Sequence, residues 1–62
     1  MREIELSETK KASLRVHTWV QHAASGLADG EVVLIRGVGE CIVRRIANGL
    51  VELWTVRENR KP

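Results

Sequence analysis

The sequence predicts an α+β fold: an N-terminal amphipathic helix over residues 8–25, then a three-stranded antiparallel β-meander. Three observations predict it. Apolar residues recur at helical spacing through 8–25. Three β-branched runs, at 31–36, 40–47 and 50–57, fill the second half. Asn48-Gly49, a strong hairpin dipeptide, separates the last two runs.

The elements follow in order. Residues 2–6, Arg-Glu-Ile-Glu-Leu, alternate polar and apolar, with Ile4 and Leu6 on one side. A short edge strand or an ordered arm fits this pattern. Ser7 is a helix N-cap by type, and Glu8 suits the positive end of a helix. On a helix from residue 8, Ala12, Val16, Val20, Ala23, Ala24 and Leu27 fall within one arc. Lys11, Arg15, Thr18, Gln21 and His22 take the opposite side, with His17 and Trp19 at the borders. Two residues break the pattern. Ser13 lies in the apolar arc, where its hydroxyl can bond the preceding turn, and Leu14 lies among the polar residues, where exposure is expected. Gly26 is placed as the residue that ends the helix, and 28–30 reads as a turn.

A type I′ turn at Asn48-Gly49 sets a register, because that turn needs positive φ at both positions. Arg45 then faces Glu52, Glu40 faces Arg57, Val43 faces Trp54, Ile46 faces Val51 and Cys41 faces Val56. Such cross-strand pairs contribute roughly 0.2–1 kcal/mol each. In this register one face carries Cys41, Val43, Ala47, Leu50, Trp54 and Val56, interrupted by Arg45 and Glu52. The other carries Ile42, Ile46, Val51 and Leu53 with Glu40, Arg44, Thr55 and Arg57. One helix covers one face, so the second is left as an apolar cluster ringed by charge. That pattern marks an interface. The predicted partner-binding residues are Ile42, Arg44, Ile46, Val51, Leu53 and Arg57.

Residues 31–46 admit a second reading. Gly37-Val38-Gly39 between apolar runs, with Val43 and Ile46 following, resembles the helix-hairpin-helix family. That resemblance covers about sixteen residues and implies that the hairpin amides meet a DNA phosphate without sequence specificity. Val43 stands where the family favours alanine. Val32, Val33 and Ile35 are poor helix formers, and Asn48-Gly49 would cut the second helix short. The strand reading is therefore preferred.

Size and charge bound the function. The chain has 62 residues and one cysteine, Cys41, which rules out an intramolecular disulfide. Domains this small bury only about 60% of their unfolded surface, so a homodimer or a protein partner is expected. A lone cysteine and the lack of a signal-like N-terminus predict a cytoplasmic location. Net charge is +2 and unevenly spread. Residues 1–35 hold four basic against five acidic groups, and residues 36–62 hold six against three. The basic half could meet nucleic acid or an acidic protein. Candidate phosphate contacts are Lys11, Arg15, Arg36, Arg44 and Arg57, with Thr18 and His22 extending the Lys11/Arg15 stripe. With no Phe or Tyr, base stacking would depend on Trp19 or Trp54.

Catalysis finds little support. Gly37-Val38-Gly39 lacks the flanking residues of a nucleotide-binding loop. His17 and His22 are five apart, not the three or four that align two ligands on a helix. Neither a metal site, a cofactor nor a small-molecule substrate is predicted, and no membrane contact.

The predicted function is a small regulatory or inhibitory module that binds protein. Inhibitors of this size are common in phages and mobile elements, an analogy from size alone. A nucleic-acid binder is the first alternative. A ribonuclease toxin is the second: a helix, a basic meander and a basic C-terminus are loosely similar to the mRNA-cleaving toxins of toxin–antitoxin pairs. This chain lacks those toxins' earlier helix and a clear active-site set.

Overall fold

The computed structural model describes residues 1–56. In chain order the elements are β1 (Arg2–Ile4), α1 (Glu8–Val16), β2 (Trp19–Ala23), β3 (Val32–Ile35), β4 (Gly39–Ala47) and β5 (Leu50–Thr55). The strands form one sheet in the order β1-β3-β4-β5-β2. β1 runs parallel to β3, and the other neighbours are antiparallel. The fold is α+β as expected, but the sheet is mixed and five-stranded. The predicted meander is its centre, extended at one edge by β1 and at the other by β2.

The helix is shorter than its apolar spacing predicted. Ser7 caps it, its Oγ accepting from the Lys10 N–H at 3.2 Å. It ends at Val16, and the chain turns extended at His17. Val16, His17, Thr18, Trp19 and Val20 all have low helix propensity. The free edge of β5 offers them a ladder, and residues 19–23 take it. Gly26 therefore ends no helix; it has φ 74° in the loop after β2.

The helix also presents a different face from the one expected. Leu14, expected outside, is fully buried, and Lys11 is 8% exposed. Val16, expected inside, is 77% exposed. Lys11 keeps its ammonium near the Glu5 and Glu8 carboxylates, at 3.9 and 3.6 Å, while its stem lies inward. With α1 only nine residues long, Val20 and Leu27 reach the core from strand and loop instead.

The β4–β5 hairpin departs from a type I′ turn. Gly49 has φ 81°, but Asn48 does not have positive φ. Ala47 still pairs with Leu50, after which the register shifts by one, leaving Ile46 as the extra residue of a bulge. Beyond it Arg45 pairs with Val51, Arg44 with Glu52, Val43 with Leu53, Ile42 with Trp54 and Cys41 with Thr55. The bulge is anchored from outside the ladder, since Asp29 Oδ1 accepts the Arg45 N–H at 2.8 Å. A one-residue shift exchanges the faces of a strand. Here it places Cys41, Val43, Val51 and Leu53 together on one face, all fully buried. The expected Arg45–Glu52 pair is replaced by Arg44 beside Glu52. The expected Glu40–Arg57 pair falls outside the described residues, as does the end of the third predicted strand.

Both halves of the helix-hairpin-helix resemblance are strands, β3 and β4. Gly37, at φ 88°, turns the chain between them, and Gly39, at φ 123°, opens β4. The core consists of Leu6, Leu14, Val20, Leu27, Val33, Ile35, Cys41, Val43, Val51 and Leu53. It lies on one side of the sheet, closed by α1, Leu6 and the loop carrying Leu27. Among the described residues no helix is long and apolar enough to cross a membrane.

Candidate interaction surface

Strand alternation sends every second side chain to the sheet face that α1 does not cover. Register then aligns four of them. Val32 on β3 pairs with Ile42 on β4, Ile42 with Trp54 on β5, and Trp54 with Trp19 on β2. The result is an apolar row across four strands, perpendicular to the chain direction. Leu34, beside it on β3, is also exposed.

Trp54 is held from three sides. Its ring stacks on Trp19, centroids 6.3 Å apart and planes at 25°. The Arg44 guanidinium lies over it, 5.3 Å from the ring centroid. Its Nε1–H donates to Glu52 Oε1 at 2.8 Å. The Thr55 N–H bonds the Thr18 carbonyl and the Ala24 N–H bonds the Gly49 carbonyl, so Trp19 and Trp54 meet at a non-hydrogen-bonded position. Side chains approach most closely there.

Rows that carry the charged groups flank the apolar one, one of them interrupted by Leu34. On one side Arg44, Glu52 and Gln21 are aligned across β4, β5 and β2. On the other, Glu3, Leu34 and Glu40 are aligned across β1, β3 and β4. Arg36 pairs with Glu3 at 3.2 Å.

The structure divides the predicted partner-binding set. Ile42 and Arg44 lie on the open face, and Ile46 is 43% exposed at the bulge. Val51 and Leu53 are fully buried in the core, because the bulge reverses the face on which they were expected. Arg57 lies outside the described residues. The predicted set lacked Trp19, Val32 and Trp54. Trp19 falls at the border of the expected helix, although Thr18, Trp19 and Val20 are strand formers by type.

The predicted basic set does not form one patch. Lys11 and Arg15 lie on α1 beside the β3–β4 turn, where Arg15 Nη2 donates to the Gly37 carbonyl at 3.3 Å. Arg36 belongs to the same turn but is paired with Glu3. Arg44 is on the open face. Thr18 and His22, expected to extend a helical stripe, belong to the β2 side of the sheet.

A shallow groove of about 680 Å³ separates α1 from the β2 edge, lined by Thr9, Lys10, Ser13 and residues 17–21. Lys10 crosses it, its Nζ donating to the Gln21 carbonyl at 2.8 Å. A lysine over a strand edge blocks further pairing. Burial, and then the charge of Lys10, hold the His22 pKa below its usual value. Among the described residues no cluster of three or more His, Cys, Asp or Glu side chains could hold a metal. Comparison with protein-family models, with curated proteins and with solved structures returns no match.

Proposed function

We propose that this chain is a small regulatory or inhibitory module that binds another protein molecule through the open face of its sheet. The observation that carries the reading is the apolar row Val32–Ile42–Trp54–Trp19 on the uncovered face, exposed at Val32 and Trp19 and half-buried at Ile42 and Trp54. An apolar strip with a polar rim is the anatomy of a protein interface, and Trp and Arg dominate the energetics of such surfaces. The face is poorly suited to phosphate. It carries Glu3, Glu40 and Glu52 against Arg36 and Arg44, and Arg36 is already neutralised by Glu3.

The test compares the wild type with Ile42→Asp, a charge placed in the centre of the row. The variant should keep its far-UV circular dichroism. The tagged wild type should migrate in cell extract as a larger species that Ile42→Asp does not form. Titration with DNA and RNA at about 50 and 200 mM salt should show no salt-steep binding. Affinity for nucleic acid falling by roughly 10³ over that range would overturn the reading. So would a complex that Ile42→Asp leaves intact.

A further inference from the structure

We infer that the open face is self-complementary and that its occupant is a second copy of this chain, stacked face to face about a twofold axis parallel to the apolar row. This rests on the reading above and names the partner.

The complementarity arises on β4. Glu40, Ile42 and Arg44 alternate onto the open face, so β4 carries a negative group on one side of the apolar row and a positive group on the other, with Glu52 of β5 beside Arg44. Each stands roughly 7 Å from Ile42 along the strand. Among the described residues Glu40 makes no ion pair, and the contact of Arg44 is with the Trp54 ring. A twofold axis along the row reverses strand direction while keeping each strand's place across the sheet. It lays the apolar row of one copy on that of the other. It also sets Glu40 against Arg44 of the second copy, twice per dimer. Any other orientation of two such faces loses one of these matches. Two sheets stacked this way are a sandwich, the usual means by which a sheet buries its second face.

Size sets the strength. Five strands about 4.8 Å apart and three rows about 7 Å apart make a flat face of roughly 500 Å². A standard interface buries about 800 Å² per partner, so a micromolar dimer in rapid exchange is expected.

Sedimentation equilibrium of the full chain between about 5 and 500 µM tests this. The wild type should show a monomer–dimer equilibrium. E40R and R44E should each weaken it by at least about tenfold, since each places like charges opposite one another. An equimolar mixture of E40R and R44E should recover the wild-type affinity, because the heterodimer restores both pairs. The milder E40Q, R44Q and double variant give a second reading in which the double loses less than the two singles together.

A wild type that stays monomeric to 500 µM overturns the dimer, as does a mixture no tighter than its components. Failure of the dimer alone is recognisable: the wild type is monomeric while Ile42→Asp still abolishes the larger species in extract. If Ile42→Asp changes neither, the open-face reading has failed as well.

Discussion

Trp19 on the edge strand β2 stacks on Trp54 of β5, with ring centroids 6.3 Å apart and planes at 25°. The pair joins the edge strand β2 to its neighbour β5 on the side away from the core. It also explains how five residues expected to be helical are held as a strand. Main-chain bonds to β5 and one large aromatic contact favour the extended form over two more helical turns.

Removing that contact should loosen β2. Trp19→Val keeps the β-propensity and deletes the stack. The expected loss is about 1 kcal/mol beyond the change in buried area. Urea unfolding at low protein concentration would show a lower midpoint, with reduced near-ultraviolet ellipticity. An unchanged midpoint would mean that the stack contributes nothing to stability.

The orientation of α1 is tested by two truncations. Leu14 is fully buried and Val16 is 77% exposed. Leu14→Ala should cost about 2–5 kcal/mol, enough to unfold much of so small a domain. Val16→Ala should change stability by less than about 0.5 kcal/mol. The reverse order would restore the helical face that the apolar periodicity suggested.

Thr55 offers a stabilising substitution. Its Oγ1 is buried and lacks a hydrogen-bond partner among the described residues. Thr55→Val keeps the shape and removes the unsatisfied hydroxyl, so a gain of about 1 kcal/mol is expected. In a domain of this size that raises the thermal midpoint by roughly 4–8 °C. A lower midpoint would reveal a partner for the hydroxyl.

His22 predicts a pH dependence. Burial and the Lys10 charge lower its pKa in the folded state from the ordinary 6.5. The unfolded chain therefore binds the proton more readily, and acid favours unfolding. The stabilising contribution of neutral His22 is complete above pH 6.5 and declines as pH falls below that value. Denaturation midpoints between pH 7.5 and about 5 should fall in the wild type, and by less in His22→Gln. Equal slopes would assign the acid sensitivity to other groups.

Several elements were legible because their causes are local. Ser7 caps a helix through its own hydroxyl. Gly37 and Gly49 turn the chain at positive φ, where L side chains are strained. The β-branched runs became β3, β4 and β5 close to their expected bounds. Ile42 and Arg44 lie on the open face through a register displaced by one from the expected one.

What the sequence determined alone is the set of strand-forming runs, the helix start and the turn positions, because each depends on residues only a few places apart. Tertiary structure decided the rest. Between Val16 and Leu27 the apolar spacing fits a helix, while Thr18, Trp19 and Val20 are strand formers by type. The free edge of β5 settled the choice by offering hydrogen bonds and a stacking partner. Charge pairing across the hairpin favoured one register, yet the bulge at Ile46 supplied another. Surface charge pairs contribute only tenths of a kcal/mol, whereas each fully buried side chain contributes about 1.5–3. Cys41, Val43, Val51 and Leu53 therefore decided which face is inside, and left Trp19, Ile42 and Trp54 on the other.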